Sequence, residues 1–328
     1  MILTVTLNAA LDVTYQVPAL RPGHAHRVGQ VITRAGGKGI NVARVLHTLG
    51  EHVIVCGLAG GATGAELTAL LAAEAISADL TPITGQSRRT VVVHDGQQAT
   101  GLWEPGPTVL PTEWATFLDG FRTWARQATV VVLSGSLPPG LPDDSYRQLA
   151  VIAKNAGAWV LLDADRHALR HGLTAEPDLI KPNATELAEI TGLPTATHAQ
   201  ALHAAQVLRA GRRTAVVASL GPAGLAAYTG DGAYTAVVPE PVAGNPTGAG
   251  DAVVAALAAG VAHDRPWPVL LTDAVAISAA AVAAPAAGEF CASTATRLRA
   301  AVTVTRAEIA ATGDPHRGAP EHATDTHR

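Results

Sequence analysis

Apolar runs of strand length alternate with longer segments of helical periodicity along most of this chain, and this alternation is its strongest constraint on folding. Residues 52–60, 128–140 and 158–165 contain buried-strand patterns, and each is followed by a helical pattern. Such alternation is typical of a mostly parallel central sheet with helices on both faces. A length of 328 residues with 48% hydrophobic content is sufficient for a large core. We therefore predict an α/β fold of three layers.

Two segments interrupt this alternation. Residues 13–33 and 88–104 have short strand patterns joined by turns, and the second contains a hairpin that turns at Asp95. Since neither segment has a helix to cover it, we predict that together they form a small β-sheet lid over the main crevice. The lid and body are predicted to form one domain over residues 1–312. The polar, turn-rich residues 313–328 are predicted to be a disordered tail.

Composition excludes several classes of function. Lys and Arg total 23 against 27 Asp and Glu, which gives a net charge of −4 without a basic block, so we expect no nucleic-acid partner. The apolar run 274–288 is rich in alanine and contains a proline and a glycine, so it is predicted to form core helices rather than a membrane span. Cys56 and Cys291 lack metal-ligand spacing and are expected to be buried free thiols. Without an export signal at the N-terminus, we predict a cytoplasmic protein.

The stretch 245–251, Asn-Pro-Thr-Gly-Ala-Gly-Asp, has the pattern of an anion site. Glycines allow backbone N–H groups to approach a ligand closely, and the start of the following helix leaves N–H donors unpaired. Asp251 would repel an anion there unless it has a chemical role, such as accepting the proton of a hydroxyl that attacks phosphorus. The alternative is an ordinary N-cap, in which Asp251 accepts backbone hydrogen bonds.

A second glycine cluster precedes the helix predicted within residues 35–50. Lys38 and Asn41 lie among these glycines at the start of the helix, a combination that favours ligand binding over turn geometry alone. The spacing is not that of a P-loop. Farther along, Asn183 and Glu186 are three residues apart at a helix start. This pair can hold a hydrated Mg²⁺ through water or can cap the first helical turn, and the spacing leaves both readings open.

Most of these motifs follow the carboxyl end of a predicted strand, where ligands bind in open α/β sheets. Asp12 follows the first strand, and the loop that contains Ser219, Gly221 and Gly224 could line a nucleotide pocket. Arg88 and the next residue, Arg89, begin the hairpin. Because adjacent residues of a strand point to opposite faces, at most one of the two arginines is expected to reach the site.

Seven motifs in order carry a resemblance to a known family. They are TVTLNAALD at 4–12, AGGKGINVARVLHTLG at 35–50, EPGP at 104–107, SGSLPPG at 134–140, DLIKPNATE at 178–186, SLGPAG at 219–224 and TGAGD at 247–251. Over about residues 1–310 the chain resembles the ribokinase/PfkB carbohydrate-kinase family, and within it the 1-phosphofructokinase and tagatose-6-phosphate kinase branch. The resemblance implies a ribokinase-like fold, ATP and Mg²⁺ as cofactors with a monovalent cation as a further candidate, and a β lid through which a homodimer could form.

The resemblance also implies roles for individual residues. It makes Asp251 the catalytic base and places the backbone of Gly248, Ala249 and Gly250 against the transferring phosphate. The implied contacts to the sugar come from Asp12, Gly37, Asn41 and Ser136. Arg88 matches the basic residue that faces the substrate's own phosphate, for which Lys38 and Arg27 are further candidates. The implied nucleotide and phosphate contacts come from Asn183, Ser219, Gly221, Gly224 and Thr247, and Glu186 is the implied Mg²⁺ ligand through water.

Several residues depart from the pattern of that branch. Thr247 stands where valine is usual, Thr90 stands where asparagine is usual, and Asp165 with Arg166 replaces a Ser-Gly pair. These departures leave the acceptor open. The leading hypothesis is an ATP-dependent phosphohexose kinase acting on fructose 1-phosphate, fructose 6-phosphate or tagatose 6-phosphate. The alternatives are a kinase for an unphosphorylated sugar or nucleoside, and a sugar-binding protein without catalysis.

Overall fold

The part of the chain that the structure describes contains two β-sheets, ten α-helices and a short 3₁₀ helix at Gly221–Ala223. This structure, a computed structural model, describes residues 1–96, 98–240, 242–284 and 286–308, and the predicted tail at 313–328 lies outside them. The strands are β1 (Ile2–Thr6), β2 (Ala10–Gln16), β3 (Gln30–Gly36), β4 (Val53–Gly60), β5 (Ser77–Ile83), β6 (Arg88–His94), β7 (Ala99–Trp103), β8 (Val130–Gly135), β9 (Trp159–Ala164), β10 (Leu179–Ile180), β11 (Ala215–Ser219), β12 (Leu225–Tyr228), β13 (Ala233–Val237) and β14 (Thr303–Ala307). The helices are α1 (Lys38–Thr48), α2 (Gly61–Ala73), α3 (Pro111–Ala125), α4 (Ser145–Asn155), α5 (Arg166–Leu173), α6 (Ala184–Thr191), α7 (His198–Arg209), α8 (Ala249–Ala262), α9 (Trp267–Val282) and α10 (Ala292–Arg299).

The central sheet has the strand order β14-β13-β12-β11-β10-β9-β8-β1-β4-β5. Every neighbouring pair from β11 to β5 is parallel, and β12, β13 and β14 add an antiparallel edge. The chain runs outward from β1 through β4 to β5 and then returns to place β8 on the other side of β1. This reversal creates a crevice at the carboxyl ends of β1 and β8, where ligands bind in sheets of this kind.

Helices cover both faces of the central sheet, as predicted from the alternation of patterns. One buried cluster packs α1, α8 and α9 against one face, and a second packs α3, α4 and α7 against the other. The alanine-rich helices α8 and α9 lie very close together. A Cβ at Gly260 in α8 would collide with Leu270 Cδ2, so a larger residue there would force the side chain of Leu270 to move. The predicted three-layer α/β fold is confirmed.

The predicted lid is a separate four-stranded sheet in the order β3-β2-β6-β7. Strand β2 begins at Ala10 and β3 ends at Gly36, and these two residues are paired, so the lid strands extend beyond the predicted segment 13–33 at both ends. The predicted hairpin is present as β6 and β7. That the lid and body behave as one domain over 1–312 stays a prediction.

Two edge strands and one cysteine differ from the sequence expectations. Strand β5 was missed because it contains a proline, which an edge strand tolerates, and only its last residue is buried. Strand β14 follows the last helix and pairs with β13 at the opposite edge. Cys56 is buried as predicted, but Cys291 is exposed just before α10, so that prediction was wrong. None of the described helices combines the length and the hydropathy that a membrane span requires.

Candidate active site

A cavity of about 1080 Å³ opens at the carboxyl ends of the parallel strands, next to the reversal between β1 and β8. Asn8 after β1 and Ser136 after β8 lie on its wall, and their side chains are joined by a hydrogen bond of 3.2 Å. Lid residues Asp12 and Arg88 close the cavity from one side, and the start of α8 closes it from the other. The cavity therefore lies between the body and the lid.

All but one of the predicted site residues line this cavity. They are Asp12, Gly37, Lys38, Asn41, Arg88, Ser136, Asn183, Glu186, Ser219, Gly221, Gly224, Thr247, Gly248, Ala249, Gly250 and Asp251. The exception is Arg27, which is exposed in the segment between β2 and β3. That segment connects the end of β2 to the start of β3, and the opposite ends of these two strands are the ones attached to the body. Arg27 does not line the cavity. We assign it no role there.

The start of α8 places Asp251 in the cavity. Gly248 is the N-cap, with a φ of 83° that a side chain would disfavour, and a Cβ there would also lie 2.9 Å from Ala287. Asp251 follows in the first turn, and its Oδ2 accepts a hydrogen bond of 2.8 Å from Asn41 Nδ2. Asp251 is therefore not the N-cap of α8, and the alternative reading of its role was wrong.

The backbone donors at this helix start differ from the expected set. The N–H of Ala249 donates to the carbonyl of Pro246 at 3.1 Å, so it is not available to a ligand. The helical ladder begins where Ala252 N–H donates to the Gly248 carbonyl, which leaves the N–H groups of Gly250 and Asp251 without a backbone partner among the described residues. The N–H of Asp251 was not among the predicted donors, which were those of Gly248, Ala249 and Gly250.

Burial changes the acid strength of the Asp251 carboxyl group. Its side chain is 7% exposed, and this burial, together with the negative charge of Asp163, raises the pKa of Asp251 to about 7. The hydrogen bond from Asn41 and the charges of Lys38 and Lys181 oppose that rise. A carboxylate with a pKa near neutral pH is suited to accept a proton from an alcohol.

A buried arginine supports Asn41 from behind. Arg44, one turn farther along α1, donates from Nη1 to Asn41 Oδ1 at 3.2 Å and from Nη2 to the Ala35 carbonyl at 2.7 Å. Its Nε pairs with Glu74 at 2.6 Å, although the side chain is almost entirely buried. Arg44 was not among the site residues predicted from the sequence. The signal was its position three residues after Asn41, which places both side chains on the same face of the helix.

Charged side chains form the floor of the cavity below the start of α8. Lys181 Nζ is 3.2 Å from Asp163, and both residues are buried. The same ammonium group lies 3.7 Å from the position that a Cβ of Gly250 would occupy, so a positive charge is next to the predicted anion site. Lys38 Nζ lies 3.2 Å from Asp165 and 3.9 Å from Asp163. Burial opposes the charge on Lys38, but these carboxylates more than offset it and raise the pKa of Lys38.

The lid contributes the carboxyl group of Asp12 and the guanidinium group of Arg88 to the cavity. Burial raises the pKa of Asp12 to about 6, against the opposing hydrogen bond from Thr90 and the charge of Arg88. Arg88 Nε donates to the Asn8 carbonyl at 3.1 Å and Nη1 donates to the Glu104 carbonyl at 3.3 Å. Burial lowers the pKa of Arg88. Its neighbour Arg89 is exposed and does not line the cavity, as expected from the strand alternation.

Asn183 and Glu186 form a capping box at the start of α6. Asn183 Oδ1 accepts from the N–H of Glu186 at 2.9 Å, and Glu186 Oε2 accepts from the N–H of Asn183 at 2.8 Å. The capping reading is thus confirmed, and both residues still line the cavity. Nearby, the end of β11 and the loop after it bring Ser219, Gly221 and Gly224 to the cavity, and both glycines have positive φ.

The chain resembles known proteins in sequence and in fold. The chain matches the pfkB family carbohydrate kinases over residues 4–295. Phosphofructokinase-2 from Escherichia coli in complex with potassium is 27% identical, with a TM-score of 0.85 over 91% of this chain and 98% of that one. The same enzyme in complex with fructose 6-phosphate is 28% identical, with a TM-score of 0.82 over 91% and 98% of the two chains.

A more distant pair of structures shares the fold. A possible 1-phosphofructokinase from Thermotoga maritima is 24% identical, with a TM-score of 0.85 over 94% of this chain and 99% of that one. Ribokinase from Arabidopsis thaliana, complexed with ribose and ATP, is 22% identical, with a TM-score of 0.70 over 91% and 98% of the two chains. The expected ribokinase-like fold is confirmed. The chain belongs to the pfkB family of carbohydrate kinases.

Proposed function

We propose that this protein transfers the γ-phosphate of ATP to a hydroxyl group of a phosphorylated ketohexose, such as fructose 1-phosphate, fructose 6-phosphate or tagatose 6-phosphate. One arrangement carries the proposal. A buried carboxylate with a pKa near 7 lies beside unpaired N–H groups at a helix start, and the arginine of the lid enters the same cavity. In this proposal the carboxylate and the N–H groups take part in phosphoryl transfer, and the arginine binds the phosphate that the acceptor already carries.

The residues at the start of α8 have complementary roles in this reaction. Asp251 accepts the proton of the attacking hydroxyl, which contributes typically ~10²–10⁴-fold to the rate. The N–H groups of Gly250 and Asp251 stabilise negative charge on the transferring phosphoryl group, by roughly 3 kcal/mol each if they resemble oxyanion-hole donors. Lys181 adds positive charge beneath them. Phosphoryl transfer depends mainly on such alignment and charge stabilisation.

The nucleotide and its metal have candidate positions along the cavity wall formed by the end of β11, the loop after it and the start of α6. We assign ATP to the side formed by Ser219, Gly221, Gly224 and Thr247, where the backbone is close to the cavity. At the capping box, Glu186 uses Oε2 for the N–H of Asn183, so its Oε1 can accept from a water of hydrated Mg²⁺. Bound Mg²⁺ would offset the negative charge of the triphosphate.

A monovalent cation is a further candidate cofactor. Potassium in the Escherichia coli enzyme supports this extension of the proposal.

The surface of the lid favours an oligomer. The lid exposes Leu102 and Trp103, with 60% and 74% of their surfaces accessible, and exposed apolar side chains of this size favour contact with another chain. We therefore propose a homo-oligomer that forms through the lid. A tetrameric form is known for the Escherichia coli enzyme.

Arg88 supports a phosphorylated acceptor. A guanidinium group can bind a phosphate through two parallel hydrogen bonds, whereas a neutral sugar gives it no charge to neutralise. Its Nε and Nη1 are used by backbone carbonyls, but Nη2 has no hydrogen-bond partner within the described part of the chain. The fructose 6-phosphate bound to the Escherichia coli relative is a substrate of this class.

A second candidate function is phosphorylation of an unphosphorylated sugar or nucleoside. The observation in its favour is Asp165, whose carboxylate lines the cavity and pairs with Lys38. This carboxylate neutralises a positive charge that a sugar phosphate would otherwise use, and it would repel a phosphate placed next to it. Asp12 offers a second carboxyl group at the same end.

An acceptor panel distinguishes these functions. ADP release would be followed with fructose 1-phosphate, fructose 6-phosphate, tagatose 6-phosphate, free hexoses and nucleosides, each over a range of concentrations. We expect kcat/KM to be highest for one of the phosphorylated ketohexoses. A higher value for a free sugar or nucleoside would favour the second function, and no ADP release with any acceptor would contradict both.

Substitution of Arg88 tests its role in the choice of acceptor. Arg88→Gln is expected to raise KM for the phosphorylated acceptor by roughly 10- to 100-fold, because a charge-assisted pair with phosphate is lost. Its effect on the KM of the corresponding free sugar should be small. Arg89→Gln is the matched control, since it removes the same charge one residue away on the outer face. Equal effects of Arg88→Gln on both acceptors would contradict this role.

A further inference from the structure

Three potential metal ligands lie together on the surface, outside the cavity. Asp143, His167 and His171 each bring one ligand atom within 4.8 Å of those of the other two. His167 and His171 are one helical turn apart on α5, so they occupy the same face, and their ring centroids are 5.1 Å apart. Asp143 comes from the segment just before α4. None of the three lines the active-site cavity.

The donor set is selective for a particular class of ion. Two imidazoles with one carboxylate suit Zn²⁺ and neighbouring divalent transition metals, whereas Mg²⁺ prefers oxygen ligands alone. Two histidines separated by four positions on a helix have the spacing of a chelating pair. Asp143 and His167 are exposed and His171 is half-buried, so an ion can enter and water can complete its coordination. The cluster is therefore accessible without any rearrangement of the core.

The position of the cluster gives it a structural consequence. Its ligands come from two elements, so a bound ion would hold α5 against the segment that precedes α4. Helix α5 has Asp165 as its N-cap, two residues before His167, and the carboxylate of Asp165 pairs with Lys38 in the active site. An ion at this cluster would therefore stabilise the first turn of α5, at the edge of the acceptor end of the cavity.

We propose that Asp143, His167 and His171 form a binding site for a divalent transition metal, and that Zn²⁺ is the ion this site binds most tightly. The site is separate from that of Mg²⁺ and ATP. The ion connects α5 to the segment before α4. The proposal does not depend on which sugar the enzyme phosphorylates, because the cluster lies outside the cavity.

Metal titration of the full chain tests the proposal. The purified protein would be freed of metal with a chelator and titrated with Zn²⁺ in excess Mg²⁺, and a parallel titration with Co²⁺ would record visible absorption from direct coordination. The chain has 13 histidines, and others among them can also bind Zn²⁺. The measurement is therefore the difference in bound Zn²⁺ between the wild type and each variant. His167→Ala/His171→Ala should bind one equivalent less than the wild type, and Asp143→Asn should bind that equivalent at least about tenfold more weakly.

The matched control is His203→Ala, which removes an exposed histidine from another helix, α7. It should bind as much Zn²⁺ as the wild type. Hydrogen exchange gives a second readout, since Zn²⁺ should slow exchange in residues 166–173 of the wild type and not of the double variant. Equal Zn²⁺ stoichiometry in the wild type and the double variant would overturn the proposal, as would equal slowing of exchange in both.

Discussion

Asn41 Nδ2 donates a hydrogen bond of 2.8 Å to Asp251 Oδ2, and this contact joins two helix starts that are 210 residues apart in the chain. Both residues are buried, so the bond is shielded from water. It holds one carboxylate oxygen of Asp251 and, in the proposed reaction, leaves the other for the acceptor hydroxyl. The contact also stabilises the charged form of Asp251, so it lowers the pKa of that group against the effect of burial.

The pH dependence of turnover should report this contact. With the pKa of Asp251 at about 7, kcat/KM is expected to fall as the pH drops below about 7, because the base becomes protonated. Asn41→Ala removes a donor to the carboxylate, so the apparent pKa of the acidic limb should move upward. The measurement is a pH profile of kcat/KM for both proteins. A downward shift in the variant would contradict this account of the pKa.

Asp251→Asn should separate stability from catalysis. The variant is expected to lose at least about 10²-fold in kcat, because asparagine cannot accept the proton. The folded pKa of about 7 is above the ordinary value of 3.8, so the native state binds a proton that the unfolded chain releases, and the wild type loses stability as the pH rises between these values.

It follows that Asp251→Asn should be more stable than the wild type at about pH 8, by up to about 4 kcal/mol in the free energy of unfolding. The difference should shrink as the pH falls toward 4, where the native carboxyl is protonated and that of the unfolded chain is partly protonated. Urea denaturation at the two pH values measures it. A kcat close to that of the wild type would contradict the role of Asp251 as the catalytic base.

Arg44 is predicted to position the base through Asn41. Arg44→Gln should lower kcat by roughly tenfold with little change in the KM of either substrate, because Arg44 touches Asn41 and not the cavity. It should also lower the free energy of unfolding by about 1.5–3 kcal/mol, since it removes the charge-assisted hydrogen bonds of a partly buried ion pair with Glu74.

Arg122→Gln is the control for Arg44→Gln, because it breaks an exposed pair with Asp119 within α3 and should cost less than about 1 kcal/mol. Denaturation curves and steady-state kinetics of both variants give the comparison. If Arg44→Gln lost stability alone, at unchanged kcat, the positioning role would be wrong.

Asp163 is predicted to set the basicity of Asp251 from a distance. Its negative charge contributes to the raised pKa of Asp251, so Asp163→Asn should move the acidic limb of the kcat/KM profile to lower pH. The same change leaves Lys181 buried without its carboxylate and should cost about 3–5 kcal/mol of stability. A pH profile at a temperature where the variant is folded tests the first effect. An unchanged or higher apparent pKa would contradict it.

Patterns that are local in the chain were sufficient to predict much of this protein. The alternation of strands and helices, the lid hairpin and the helix starts at Lys38 and Ala249 follow from side-chain periodicity and turn residues, which act over a few positions. The carboxyl ends of parallel strands meet at one edge of a sheet, so motifs spread from Asp12 to Asp251 could be expected to share a cavity.

The tertiary structure decided which atoms in that cavity are available. It pairs Asn41 with Asp251, gives the N–H of Ala249 to Pro246, and leaves Arg27 outside. It also buries Asp251 near Asp163, and that environment sets its pKa. Hydrogen bonds and charge interactions depend on distance and burial among residues that are far apart in the chain, so no local pattern contains them.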